Sequence, residues 1–176
     1  MANTYTLISS STLSSSTASV TFSSIPATFT DLLLRTSIRT DYAGTFQDME
    51  MIWNATETTN FYSQTWINSD GAATSNQKVR SAESKWQYAN IPGTSVTSNT
   101  FASQEIYIPN YAGTAIKPAS VFTVTENDTV TSGFYQIRVN ALLGNFTSAV
   151  TSIKFQLPSG NYVSGSSFFL YGIKNS

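Results

Sequence analysis

The chain has 176 residues with no Cys and no His, and Lys+Arg 9 against Asp+Glu 10 give a net charge of −1. These totals exclude a disulfide framework, a cysteine zinc site and every nucleophile activated by imidazole. They also leave no basic footprint for nucleic acid or an anionic membrane. Charged residues are only 11%, while 27 Ser and 25 Thr are available to solvate the surface; such a composition suits a rigid extracellular or virion-type β protein.

The length predicts one domain over residues 1–176, able to bury about 70% of the surface of its unfolded form. The opening Met-Ala-Asn-Thr-Tyr-Thr-Leu-Ile has neither a basic nor an apolar leader region, so the sequence predicts a product made in a cytoplasm. No window approaches 18 consecutive apolar residues.

Taken in order, Tyr5 to Ile8 reads as a first strand. Ser9 to Ser19 is a Ser-rich stretch, either a flexible segment or a loop anchored by Leu13, and the immediate return of strand character at Val20 favours the loop. Pro26 sets a turn. Asp31 to Arg39 alternates Leu32, Leu34, Thr36 and Ile38 against Leu33, Arg35, Ser37 and Arg39. Because its early part is apolar on both faces, it is expected to be a central strand. Asp41 to Gly44 turns the chain into a strand over 48–54, with Met49, Met51 and Trp53 facing together.

Phe61 to Ile67 is aromatic and β-compatible, and Asn68-Ser-Asp-Gly71 is a turn. Ala72 to Ser84 lacks an apolar stripe and is read as loop. Strands follow at 85–91, 101–108, 120–126, 134–142, 150–157 and 168–173, each stopped by Pro, Gly, Asn or Ser. After Ile106 and Ile108, Pro109 ends the pairing, and Gly113 is free to take a positive φ in the turn Asn110-Tyr111-Ala112-Gly113. Ten or eleven strands without an amphipathic helix predict an all-β, single-domain antiparallel β-sandwich, jelly-roll-like. The expected core includes Leu32, Leu34, Ile38, Ile106, Ile108, Ile137, Val139, Ile153, Phe155 and Leu157.

Chemistry is sparse. Asp48 and Glu50 on one strand, with Glu105 and Glu126, offer the two carboxylates a glycosidase needs. With ten acids on a surface such pairs arise by chance, so no catalytic residue is assigned and the chain is read as a non-enzyme. The Glu126-Asn127-Asp128 and Asn68-to-Gly71 runs lack EF-hand spacing and read as turn chemistry. No metal or cofactor is expected. The Asn54, Asn127 and Asn145 N-x-Ser/Thr triplets are coincidence in a Thr-rich chain. Trp53, Phe61, Tyr62, Trp66, Trp86 and Tyr88 concentrate aromatic surface mid-chain, either as core or as a platform for sugar rings or a subunit interface.

Tyr-Thr-Leu-Ile at 5–8, Ser19 to Arg39 around Ile-Pro-Ala-Thr-Phe-Thr-Asp-Leu, Ser103 to Gly113 with Glu-Ile-Tyr-Ile-Pro-Asn-Tyr, Thr123 to Asp128, and the ending Leu-Tyr-Gly-Ile-Lys-Asn-Ser carry a resemblance. Through them the chain, nearly end to end, resembles a family of short all-β structural proteins of tailed bacteriophages of aquatic bacteria, including cyanobacteria. The resemblance implies a virion component made in the host bacterial cytoplasm. It would be a capsid decoration (cement) protein bridging capsid subunits or, alternatively, a tail fibre or spike module binding host glycans. It brings no catalytic motif. The expected partners are the major capsid protein or a tail protein of the same phage, and the chain itself. A homotrimer suits sites where three capsid subunits meet. Its interface is expected to use apolar and hydroxyl side chains around Trp53 to Trp66, with the opposite end of the sandwich or Ser9 to Ser19 facing the capsid.

Overall fold

The computed structural model describes residues 4–58, 61–69, 75–125 and 136–174, apart from the side chains of 75–78 and 136. The described residues form twelve strands in two antiparallel sheets. They are β1 (Tyr5–Thr12), β2 (Ser19–Phe22), β3 (Asp31–Ile38), β4 (Phe46–Trp53), β5 (Tyr62–Ser69) and β6 (Ser75–Glu83), then β7 (Trp86–Pro92), β8 (Ala102–Ile108), β9 (Lys117–Thr125), β10 (Gln136–Gly144), β11 (Ile153–Gln156) and β12 (Ser167–Ile173). The eight-stranded sheet runs β1-β12-β3-β8-β9-β10-β5-β6, and the four-stranded sheet runs β2-β11-β4-β7.

The connectivity is that of a jelly roll. The pairs β1/β12, β2/β11, β3/β8 and β4/β7 are nested, like one long hairpin rolled up so that its rungs alternate between the two sheets. Two hairpins are spliced into this ribbon, β5–β6 between β4 and β7 and β9–β10 between β8 and β11. Both add to the same edge, beyond β8, and widen one sheet to eight strands.

Alternation sends Leu32, Leu34, Ile38, Met49, Met51, Ile106, Ile108, Ile153, Phe155 and Leu170 between the sheets. β3 is interior, between β12 and β8, as its two-sided apolar pattern predicts; Leu33 on its outer side lies between Tyr171 and Tyr107 and is itself buried. The Ser-rich segment resolves differently from expectation. β1 runs on to Thr12, because Ser9 to Thr12 continue the ladder with β12, and only 13–18 is loop. Leu13 pins that loop through both backbone groups, donating to the Ser166 carbonyl at 2.9 Å and accepting from Gly165 at 2.8 Å.

Four other readings are corrected. Residues 75–83 form strand β6 rather than loop, because a ladder to β5 supplies the hydrogen bonds that an apolar stripe would otherwise have to justify. Arg39 ends its strand instead of continuing the exposed face. Its guanidinium is buried and donates to the carbonyls of Gly93, Val96, Thr97 and Thr100 at 2.7–3.3 Å, organising the loop before β8. In the 109–113 turn the left-handed residue is Asn110, at φ 47°, and not Gly113. Gly113 is needed for space: a Cβ there would stand 2.5 Å from the Asn110 side chain. Finally, Ile137 and Val139 are not core; they are 48% and 49% exposed.

Candidate interaction surface

The misplacement of Ile137 and Val139 locates the most informative surface of the molecule. β10 carries Arg138, Asn140 and Leu142 on one face and Ile137, Val139, Ala141 and Leu143 on the other. Ordinary patterning would bury the second set. The structure buries the first: Arg138 is 4%, Asn140 1% and Leu142 3% exposed.

The inward face is held by electrostatics. Arg138 Nη1 donates to Asp48 Oδ1 at 2.6 Å, to the Ala89 carbonyl at 2.9 Å and to Asn90 Oδ1 at 3.2 Å, while Nε donates to Asn140 Oδ1 at 3.2 Å. The guanidinium carbon sits 4.6 Å from the centre of the Trp66 ring. Burial pulls the Arg138 pKa down, and the charge and hydrogen bond of Asp48 oppose that pull. Arg138 Nη2 and Asn140 Nδ2 are nevertheless buried without a hydrogen-bond partner, and each such group costs about 1–3 kcal/mol.

Outward, register builds one apolar row across three strands and a mixed hydroxyl and apolar row across four. Val139 lies between Phe122 of β9 and Ile67 of β5; Ala141 lies between Ser120 and Thr65, and Thr65 opposes Val79 of β6. Phe122 is 49%, Ile67 55% and Val79 68% exposed. Among the described residues, no charged side chain stands on the outward faces of β9, β10 and β5. Towards the other half of the sheet one row continues as Phe169, Arg35, Glu105, Phe122, with the exposed Arg35–Glu105 ion pair closing at 3.0 Å. Shallow depressions of about 400, 360 and 250 Å³ all open on this outer face, one of them over Val79, Thr65 and Leu143.

The aromatics singled out from sequence do not make this surface. Trp53, Trp86 and Tyr88 are 0%, Tyr62 1% and Trp66 8% exposed, and Phe61 is partly buried against the core. Trp53 meets Trp86 edge-on with centroids 4.4 Å apart, Tyr62 meets Trp86 at 4.8 Å, and Phe146 joins Trp53, Tyr62 and Phe61 at 5.2–6.0 Å. Trp86 Nε1 donates to the Ser63 carbonyl at 3.0 Å, and Tyr62 OH donates to the Thr56 carbonyl at 2.7 Å. The cluster therefore fastens β5 to the small sheet. The expected exposed platform over Trp53 to Trp66 is replaced by core, because alternation from Met49 and Met51 carries Trp53 inward and ring packing draws the others after it.

The carboxylates separate. A register shift between Gln47 and Met49 directs Asp48 to Arg138, whereas Glu50 bonds Lys85 at 3.0 Å, Gln87 at 3.0 Å and Gln156 at 2.8 Å. Burial works against ionising Glu50, yet the bonds from Gln156, Gln87 and Lys85 outweigh it and hold its pKa below the usual value. Among the described residues no group of three or more acids gathers as a metal ligand set. Asn54 is an internal clamp at φ 51°: its Oδ1 accepts from Thr151 N at 2.8 Å and Ser152 N at 3.2 Å, and its Nδ2 donates to Ala149 O at 2.8 Å. Asp70, Gly71, Glu126, Asn127, Asp128 and Phe134 lie outside the described residues.

The described parts of the stretches that carry the sequence resemblance are neighbours in space. Asp31 accepts from Tyr107 OH at 2.7 Å and from Asn110 N at 2.8 Å, Tyr111 OH donates to the Pro26 carbonyl, and Phe29 covers Gly172 so closely that a Cβ there would stand 2.3 Å from the ring. No protein-family model matches the chain, and no curated protein matches it significantly.

Proposed function

We propose that this chain is a non-enzymatic structural protein of a tailed-phage virion, a capsid decoration protein that bridges capsid subunits. The observation that carries a structural, interface-forming role is the outward apolar face of β10 with its neighbours Phe122, Ile67 and Val79. Contiguous exposed apolar surface of this kind marks interaction sites. The jelly roll supports the virion setting by analogy of fold, since capsid and lectin domains use it, and the sequence resemblance points the same way. Binding to the major capsid protein would use the ends of the sandwich as contact surfaces. The glycan-binding alternative loses its motivating feature, because the three tryptophans are buried.

The test is the position of the protein in a cryo-EM map of the assembled particle, with a deletion phage alongside. Particles lacking it should adsorb normally and leak DNA on heating or at low salt. Intact particles that no longer adsorb would overturn the decoration role in favour of host recognition.

A further inference from the structure

We propose that the outer face of β9, β10, β5 and β6 is covered by a second copy of this chain in a closed homo-oligomer. The first reason is the inversion of β10. Facing Arg138 and Asn140 inward leaves two buried donors unpaired and holds Ile137 and Val139 about half in water. The Asp48 ion pair and the Trp66 ring offset the inward cost within a lone sandwich, but only a covered outer face recovers the burial of Ile137 and Val139.

The second reason is size. Strands about 4.8 Å apart, rising about 3.3 Å per residue, make the four-strand patch roughly 19 Å by 26 Å, or about 500 Å² in projection. The whole eight-strand face is about twice as wide, so a copy seated on the patch and lapping onto β8 and β3 reaches the roughly 800 Å² per partner of a specific interface.

The third reason is charge. The described outward residues of β9, β10 and β5 are apolar or hydroxylic, and on the lapped strands Arg35 and Glu105 neutralise each other, so a strongly acidic or basic partner gains little there. The same rows offered by a copy are complementary, and two sheets stack face to face about 10 Å apart. A copy is also the one partner present at equal concentration wherever the chain is made. This assignment is independent of the virion reading, which a purified protein does not test.

Light scattering on the purified full chain, across a wide concentration range and in about 1 M salt, should give a small-integer multiple of 19.1 kDa. Val139→Lys and Ile67→Lys should each return it to 19.1 kDa with an unchanged far-UV CD spectrum. A wild-type monomer at every concentration, or an oligomer that survives both lysines, overturns the proposal. If the lysine variants do not fold, the absence of Cys supplies a milder probe. A Val139→Cys thiol should react with a maleimide about tenfold more slowly than a Ser159→Cys thiol in an exposed loop. Equal rates overturn the proposal, and so does a Val139→Cys thiol protected only after a different protein is added.

Discussion

Arg138 and Val139 adjoin in sequence and are opposites in environment: the guanidinium is held beneath the sheet by Asp48, and the isopropyl group stands between Phe122 and Ile67 on its outer surface. A slip of β10 by one residue would exchange the two faces. Asp48 and the Ala89 carbonyl, both fixed by the opposing sheet, select the observed register. Arg138→Ala should therefore cost about 3–5 kcal/mol, since it strands the Asp48 carboxylate in a mostly dry site. Denaturant unfolding of the variant checks this, and a loss under about 1 kcal/mol would show that Asp48 finds solvent instead.

Phe155 and Val139 form a contrasting pair. Phe155 is fully buried, stacked 5.7 Å from Phe168 and edge-on to Phe22, so Phe155→Ala should cost about 3–5 kcal/mol. Val139→Ser should cost the monomer only about 1 kcal/mol, through strand propensity and its contacts with Phe122 and Ile67. Parallel urea titrations at low protein concentration compare them; similar losses would contradict the exposure of Val139.

Gly172→Ala should destabilise by about 1–3 kcal/mol through overpacking, because the added methyl enters the space of the Phe29 ring. Pairing it with Phe29→Leu should restore part of the loss. Thermal melts of the single and double variants measure the coupling, and strict additivity would exclude the contact as its cause.

Two pH limits follow from the titratable groups. Burial raises the Tyr62 phenol to about 12, and the hydrogen bond to Asp31 raises Tyr107 to about 12; burial puts Tyr88 and Tyr162 well above 10. Folding thus favours the neutral phenols. Their contribution is complete below pH 10 and is lost as pH climbs through the raised values. The share of tyrosinate absorbance contributed by these four residues, isolated by Tyr→Phe variants, should rise together with loss of near-UV CD rather than ahead of it. Glu50 acts in the opposite sense: its lowered pKa stabilises the fold above the ordinary value of 4.5, and that contribution is lost as pH falls from there through the lowered value. Glu50→Gln should flatten the acid limb of stability against pH.

The sequence made the sandwich legible because most of its strands obey alternation. Leu32, Leu34 and Ile38, or Ile106 and Ile108, need no knowledge of neighbours to be placed inside. β10 was illegible for a physical reason: what decides its facing is an acid some ninety positions earlier, and no local pattern records it. β6 was missed likewise, since its order comes from β5 and not from its own side chains. The aromatic segment was half legible. Its residue types announce an interface, and the structure makes it an internal one, between the spliced hairpin and the small sheet. Phe146, at the centre of that cluster, follows β10 in an irregular stretch where no periodicity draws notice.

The pairing of β1 with β12 has a bearing on how the molecule comes into being. Tyr5 lies opposite Ile173, so a nascent chain holds β1 without this partner until β12, more than 150 residues later, has left the ribosome. β3 must likewise wait for β12 on one side and for β8 on the other. Loop closures this long are entropically costly before they are rewarded, so the fold is expected to form slowly, and only once β12 has emerged. Throughout that delay the apolar segments of β3 and β10 are open to other chains, and rapid synthesis at high temperature should divert a larger share of the protein into aggregates.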